Sequence, residues 1–283
     1  MSNHLLRSHA PISDSNWKLL DDEARERLTA ALAGRKLVDF AGPRGWEFSA
    51  TNLGRVQAIA GAPVKDVTSL QRRVLPLVEL RAEFEVSRAE LRDDDRGALD
   101  ADLASLDDAA HRIAVAENRT IFHGWPEASI SGIAEVSPHD VFALGDVPDE
   151  YPQPVAGAVQ RLLRNGVAGP YAMALGGEQY QRVVETAERG GYPLFDHLGK
   201  ILGGPIVWAP GVDGAVVLSL RGEDFRFESG QDISIGYLEH DREVVRFYLE
   251  ESFSFTVATP EAAVTLSAGT TRPRDRSKRG RAS

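Results

Sequence analysis

The chain contains no cysteine among its 283 residues. It therefore has no disulfide, no thiolate nucleophile and no cysteine-ligated zinc or iron–sulfur site. No apolar run approaches the roughly 20 residues that a membrane helix needs. The first residues also lack the apolar core of a secretory signal, so we expect no export by that route. These absences favour a cytoplasmic protein without a membrane partner.

Charge is distributed unevenly along the chain. Charged residues make up 26% and hydrophobic residues 42%, which is ordinary for a globular protein. The segment 270–283 carries six lysine or arginine residues against Asp275, a net of +5, whereas the whole chain is at −10 and residues 1–269 are therefore at −15. An acidic body disfavours nucleic acid as a partner. Residues 269–283 are of low complexity and are predicted to form a disordered basic tail.

Hydrophobic periodicity predicts both helices and strands. Alternating apolar and polar residues over 78–86 and again over 243–257 predict two long, half-buried strands. Apolar spacings of three and four over 99–122 predict a long helix. The same spacing after Ser13 or Ser15, either of which can cap a helix, predicts an amphipathic helix near the start. Its apolar face consists of Trp17, Leu20, Ala24, Leu28 and Ala31.

Two stretches differ from this pattern. Residues 52–76 mix short apolar pieces with Gly54, Gly61 and Pro63, which predicts a hairpin or an arm that reaches away from the body. Residues 137–228 alternate short helical and strand patterns and are predicted to form a separate α/β unit. Because the chain from 229 onwards resumes the earlier strand pattern, the simplest layout is an inserted second domain in an α+β protein.

No constellation of residues indicates catalysis or metal binding. The acidic run 93–95 resembles part of a calcium loop, but Ala98 and Ala104 stand where such a loop needs glycine and glutamate. The histidines have no metal-ligand spacing, and neither a dinucleotide-binding glycine pattern nor a GxSxG elbow is present. We therefore predict no catalytic residue, no metal and no cofactor, and we expect the chain not to be an enzyme.

The order of these blocks resembles the encapsulins, the shell proteins of bacterial and archaeal nanocompartments, also called linocin-type bacteriocins. The resemblance runs through residues 3–268, and the tail beyond departs from it. It is carried by HAPISDSNW, GRKLVDF with GPRGWEF, PLVELRAEF, DDDRG, AENRTIFHGW, GVAGPYAMAL, GGYPLF, WAPGVDGAVVLSLRGEDF and GQDISIGYLEHDREVVRFYLEESFSF.

This resemblance implies the tailed-phage major capsid protein fold, with a peripheral domain, an axial domain and an extended arm. It divides the chain into an N-terminal helix with the start of the peripheral domain, the arm, the peripheral domain with its long spine helix, the axial domain, the returning peripheral strands and the tail. The corresponding boundaries are 1–50, 51–76, 77–136, 137–228, 229–268 and 269–283.

The resemblance also implies assembly and cargo. Members of the family form closed icosahedral shells, of which the smallest has about 60 copies, and package a dye-decolourising peroxidase or a ferritin-like protein through its C-terminal peptide. Some are reported to carry flavin, but no flavin-binding pattern is visible in this sequence. The implied cargo-peptide-binding residues are Leu28, Arg35, Asp39, Ile235 and Tyr237, and the implied pore loop is Glu188, Arg189, Gly190, Gly191 and Tyr192.

Two alternatives remain open at this point. A phage or prophage major capsid protein has the same fold and would be distinguished by neighbouring terminase and portal genes. A soluble hydrolase or bacteriocin-like peptidase, as the older family label suggests, would need a nucleophile or metal constellation that the sequence does not display.

Overall fold

The computed structural model describes residues 4–187 and 191–268. Its α-helices are α1 (Asp14–Ala31), α2 (Arg88–Asp95), α3 (Ala104–His123), α4 (Ile133–Val136), α5 (Pro152–Arg164), α6 (Gly177–Glu185) and α7 (Leu194–Leu202). Its strands are β1 (Asp39–Ala41), β2 (Ala50–Ala58), β3 (Leu70–Pro76), β4 (Val78–Ser87), β5 (Phe142–Gly145), β6 (Tyr171–Leu175), β7 (Ile206–Trp208), β8 (Ala215–Ser219), β9 (Phe225–Ser229), β10 (Ser234–His240), β11 (Val244–Val257) and β12 (Ala263–Ala268).

The first sheet is built around β11, the 14-residue strand that the alternating pattern predicts. β11 pairs antiparallel with β4, β10 and β9, and β1 adds to β9 in parallel. One face of β11 presents Val245, Phe247 and Leu249 to a buried apolar cluster that also contains Leu20 and Leu106, from α1 and the long helix α3. The first helix and the long helix thus cover one face of this sheet, because each has an apolar stripe to bury.

The long helix is shorter than predicted at its N-terminal end. The sequence pattern starts it at Leu99, whereas α3 begins at Ala104 and Leu99 is fully exposed. The side chain of Asp102 accepts a hydrogen bond from the Ala104 backbone N–H at 3.0 Å, which satisfies a donor that the helix end leaves free. A local cap therefore overrides an apolar spacing that fits a longer helix.

The second sheet has the order β5-β12-β8-β6-β7. Its strands β6 and β8 are buried along their whole length, as expected for strands covered on both faces. The assignment of 263–268 to the first unit is corrected here, since β12 pairs antiparallel with β8 and parallel with β5. The chain thus passes from β11 in the first sheet to β12 in the second, where its described part ends.

A two-stranded hairpin, β2 with β3, projects from the first sheet. The two strands pair antiparallel from Ala50 opposite Pro76 to Ala58 opposite Leu70. They form a sheet of their own, and all but a few of their side chains are exposed. This hairpin occupies the stretch that the sequence predicts as an arm.

Candidate docking groove

A groove of about 450 Å³ lies between α1 and β10. Leu28 from α1 and Ile235 from β10 are buried, and both belong to the apolar cluster under the groove. The groove is open to solvent along its rim, where Asp21, Arg25 and Lys36 contribute charges. Its lining consists of Asp21, Ala24, Arg25, Leu28, Thr29, Leu32, Arg35, Lys36, Asp232, Ile233, Ser234, Ile235 and Leu249. An apolar floor with a polar rim suits an extended peptide that carries a few apolar side chains.

Helix capping fixes the position of α1. Ser13 caps the helix by accepting a hydrogen bond from the Asn16 N–H at 3.1 Å. Asp95, at the end of α2, accepts from the hydroxyls of Ser13 at 2.6 Å and Ser15 at 3.0 Å. The side-chain amide of Asn16 donates to Asp94 at 2.9 Å. The acidic run that resembles part of a calcium loop therefore holds the start of α1.

Arg35 lies at one end of the groove and forms three ion pairs. Its Nε is 2.7 Å from Glu117 on α3, and its two terminal nitrogens are 2.6 Å from Asp232 and 2.8 Å from Glu251. The side chains of Glu117 and Glu251 are almost fully buried. One guanidinium thus joins α3, the turn before β10, and β11. Each of its three guanidinium nitrogens contacts an acidic side chain of the same chain, so Arg35 stabilises the groove as well as lining it.

The pKa values of the two buried acids, Glu117 and Glu251, are both raised. Burial raises the pKa of Glu117, and Arg35 opposes that rise. Burial and then the nearby Glu117 carboxylate raise the pKa of Glu251 well above its ordinary value, because charging it would place a second anion in the same apolar surroundings. For Arg35 the three carboxylates outweigh burial and raise its pKa further.

Two of the five predicted docking residues lie outside the groove lining. The carboxylate of Asp39 accepts a hydrogen bond from the Glu223 N–H at 2.5 Å and lines a separate hollow beside Leu220. The backbone N–H of Tyr237 donates to the carbonyl of Leu5 at 2.8 Å, so the N-terminal segment covers β10 at that point. The structure thus brings together Leu28, Arg35 and Ile235 in the groove lining, whereas Asp39 lies in a separate hollow and Tyr237 packs against the same apolar cluster without lining the groove.

Sequence reasoning missed several residues of the groove. Ile233 and Ser234 precede Ile235 on the turn into β10, and Asp232 belongs to the Arg35 ion pairs. The period of two that marks Ile235 as inward-facing also marks Ile233, which was the available signal. The contact between Asp232 and Arg35 joins residues 197 positions apart, and no local pattern predicts it.

The predicted pore loop is described only in part. Glu188, Arg189 and Gly190 lie outside the described residues. Gly191 has a φ of +81°, a conformation that favours glycine. Tyr192 is 38% exposed, and the Lys200 ammonium lies 4.9 Å from the centre of its ring.

Within residues 4–187 and 191–268, no group of three or more His, Asp or Glu side chains is arranged to hold a metal ion. In the same part of the chain, no helix combines the length and the apolar character required to cross a membrane.

Solved structures with the same fold are shell components. The chain superposes on a virus-like particle from Pyrococcus furiosus with a TM-score of 0.64 and 18% identity, covering 89% of this chain and 99% of that one. It also superposes on the capsid of an empty GTA particle with a TM-score of 0.52 and 16% identity, covering 84% and 89%. At these identities the likeness establishes the fold alone, which is the tailed-phage major capsid fold predicted from the sequence.

Sequence comparison identifies the family. The family described as "Encapsulating protein for peroxidase" matches residues 2–254. The type 1 encapsulin shell protein of Rhodospirillum rubrum is 45% identical over 269 residues, covering 93% of this chain and 96% of that protein. That of Mycobacterium tuberculosis is 40% identical over 265 residues, covering 94% and 99%. The chain therefore has a capsid-type fold and, within that class, belongs to the encapsulin shell protein family.

Proposed function

We propose that this chain assembles with copies of itself, 60 in the smallest closed icosahedral case, into a cytoplasmic shell that encloses a cargo enzyme. The family match and the capsid-type fold support this proposal. The observation that carries it within the structure is the projecting hairpin, which exposes apolar side chains that its own chain does not cover. A shell subunit of this kind contributes no catalysis, and the chemistry belongs to the cargo.

The hairpin has one apolar face. On β3, Leu70 and Val74 are 58% and 51% exposed, and Val56 on β2 is 55% exposed. Val56 pairs directly with Arg72, and Leu70 and Val74 lie two residues on either side of Arg72, so all three apolar side chains share one face. Exposed apolar side chains grouped in this way mark a contact surface. A second copy of the chain is the occupant that closed assembly requires.

Electron microscopy and size-exclusion chromatography of the purified chain test assembly. We expect uniform closed particles from the wild type and loss of particles from the Leu70→Ser/Val74→Ser variant. The variant Leu163→Ser/Val184→Ser, which changes two apolar side chains of similar exposure on α5 and α6, serves as the matched control and keeps its particles. A monomer or a small ring from the wild-type chain would contradict the proposal.

We further propose that the groove between α1 and β10 binds the C-terminal peptide of the cargo, a peroxidase or a ferritin-like protein. Apolar peptide side chains would contact Leu28 and Ile235, and Arg35 would hold the end of the groove in shape. Asp39 and Tyr237 enter this proposal only as neighbours, since neither lines the groove.

Filling the groove tests this docking proposal. Thr29 is exposed and lines the groove, so Thr29→Trp occupies the site without disturbing the core. We expect intact shells that no longer co-purify a co-expressed cargo enzyme. Glu26→Trp, at an exposed position of α1 outside the groove lining, is the control and keeps its cargo. Unchanged loading of the Thr29→Trp shells would count against docking here.

The loop that ends at Gly191 and Tyr192 is proposed to border an opening of the shell at the fivefold axis. Charge substitutions at Glu188 and Arg189 should then change the rate at which small ions reach a packaged enzyme while leaving particle size unchanged. An unchanged entry rate would remove this role.

The two alternatives are less well supported. The relatives with 40–45% identity over most of the chain are encapsulin shell proteins, which favours a nanocompartment over a phage capsid. No observation favours a hydrolase or peptidase.

A further inference from the structure

A large hollow lies at the root of the hairpin, and four arginines are part of its lining. It has a volume of about 1150 Å³. Arg44 and Arg226 come from the body, and Arg55 and Arg73 come from the two strands of the hairpin. A single carboxylate, Glu228, is part of the same lining. The hollow thus carries an excess of positive charge inside a chain whose net charge is −10.

Glu228 is already engaged by the body. Its Oε1 is 2.7 Å from Arg44 Nε, and its Oε2 is 3.6 Å from Arg226 Nε. Glu228 therefore neutralises part of the charge of Arg44 and Arg226. Within the described residues it forms no ion pair with the two hairpin arginines.

Arg55 and Arg73 are directly opposite each other across the strand pair. Like charges at directly opposed positions destabilise a strand pair. Within residues 4–187 and 191–268 neither guanidinium has a carboxylate within ion-pair distance. In an isolated subunit, the repulsion between Arg55 and Arg73 therefore remains at the root of the hairpin, which is proposed to contact another copy.

An exposed row of carboxylates stands on β4 of the same sheet. Glu83 and Glu85 are exposed on the face of β4 that points away from the apolar cluster. Glu83 has no ion pair in the described chain, and Glu85 is 3.3 Å from Arg246, which also contacts two other acids. Residues two apart on a strand are separated by about 7 Å, and directly opposed residues by about 5 Å. The two carboxylates therefore match the two guanidiniums in number and approximate spacing.

The chain cannot bring its own row to its own hollow. Pro76 lines the hollow, and Glu83 lies seven residues further along the same extended segment. At about 3.3 Å per residue this is a separation of about 23 Å, and β4 is fixed by its pairing with β11 over its whole length. A contact between these carboxylates and the hollow therefore requires a second copy.

We propose that Arg55 and Arg73 at the root of one hairpin bind Glu83 and Glu85 of β4 on a second copy, and that this charge contact sets the register of the hairpin on its neighbour. The inference rests on the self-assembly proposed above and adds the residues that orient it. The exposed apolar face supplies contact area that many alignments would satisfy, whereas two ion pairs at fixed positions select one of them.

A charge exchange tests the contact with the full-length chain. Arg55→Glu/Arg73→Glu should lower the yield of closed particles about tenfold or more, since like charges then face each other across the contact. Glu83→Arg/Glu85→Arg should lower it similarly, and the four substitutions together should restore it. Arg92→Glu/Arg164→Glu, two exposed arginines of α2 and α5 outside the hollow, is the matched control and keeps the wild-type yield. Circular dichroism of each variant checks that the subunit is folded.

The outcomes separate this contact from assembly itself. A wild-type chain that forms no particles contradicts the proposed function. Normal particles from Arg55→Glu/Arg73→Glu overturn the contact. A particle yield that stays low when all four substitutions are combined also overturns it. Raising the salt to about 1 M, where the Debye length is about 3 Å, should weaken wild-type assembly; an unchanged yield there also counts against the contact. Release of nucleic acid from wild-type particles but not from the arginine variant would assign the hollow to nucleic acid instead.

Discussion

Arg35 lines the proposed docking groove and also joins three acidic side chains of the subunit. Its guanidinium contacts Glu117, Asp232 and Glu251 and lies 5.2 Å from the ring centre of Phe227. The family resemblance predicts Arg35 as a cargo-binding residue, and these contacts add a structural role within the subunit. The three acids come from distant parts of the chain, and their convergence depends on the packing of α3 against β11, which single-sequence patterns do not describe.

Removing Arg35 should destabilise the folded subunit strongly. Arg35→Met leaves two buried carboxyl groups without their counter-charge, and breaking a buried ion pair in this way costs about 3–5 kcal/mol. Arg25→Met is the control, because Arg25 is 70% exposed and pairs with Asp22 at the surface, where such pairs contribute about 1 kcal/mol or less. Urea unfolding of both variants in the same assembly state measures the difference. Equal losses would show that the buried network contributes no more than the surface pair.

The stability of the subunit should depend on pH through Glu251. A carboxyl group whose pKa is raised by folding binds its proton more tightly in the folded chain than in the unfolded one. The stability it contributes is complete below its ordinary pKa of 4.5 and is lost as the pH rises through the raised value. Glu251→Gln removes this titration, so its free energy of unfolding should fall less steeply with rising pH than that of the wild type.

Thermal or urea unfolding over a pH series measures this effect. Glu26→Gln, which removes an exposed carboxylate of α1, makes the same change in charge and should follow the wild-type curve. A wild-type curve that is flat above pH 4.5, or a parallel shift in Glu251→Gln, would contradict the argument.

At the scale of elements, local patterns predicted the strands better than their partners. The alternation in 78–86 identifies β4, which is half-buried as predicted. The alternation in 243–257 identifies β11, but the prediction that this strand is half-buried is wrong, because residues 247–255 are buried on both faces. The placement of β12 in the second sheet was not predictable in this way, since its pairing with β8 joins residues about 45 positions apart in the chain. The start of α3 was missed because Leu99 continues the apolar spacing beyond the cap at Asp102.

Two glycines should respond oppositely to alanine. A Cβ atom added at Gly236 of β10 would lie 2.2 Å from the Tyr248 ring, so either the ring or β10, which borders the groove, must shift. We expect Gly236→Ala to destabilise the subunit by about 1–3 kcal/mol and to weaken cargo loading. In Gly199 of α7, an added Cβ meets no atom within 4 Å, so Gly199→Ala should stabilise the helix by up to about 1 kcal/mol. Thermal unfolding measures both, and destabilisation of equal size at the two sites would contradict this reasoning.

At the scale of the whole molecule, the two proposed surfaces belong to different parts of one chain. The groove is lined by residues 21–36 and 232–249, whereas the apolar face of the hairpin lies within 56–74. The sequence predicts the arm that forms the hairpin, and three of the five residues that the family resemblance implies for docking, Leu28, Arg35 and Ile235, line the groove. The shape of the groove depends on how β10 and α1 meet over a shared apolar cluster, which is a property of the folded chain.

This separation predicts that docking survives the loss of assembly. The Leu70→Ser/Val74→Ser subunit should bind the C-terminal peptide of the cargo enzyme with the affinity of wild-type particles, because the apolar floor at Leu28 and Ile235 forms within the folded subunit. Adding Thr29→Trp should abolish binding to the same extent in the assembled and unassembled proteins, as expected for distant sites that do not share partners. Fluorescence anisotropy with the labelled peptide measures both affinities. A peptide that binds particles at least about tenfold more tightly than the free subunit, a difference of about 1.4 kcal/mol, would show that a neighbouring copy completes the groove.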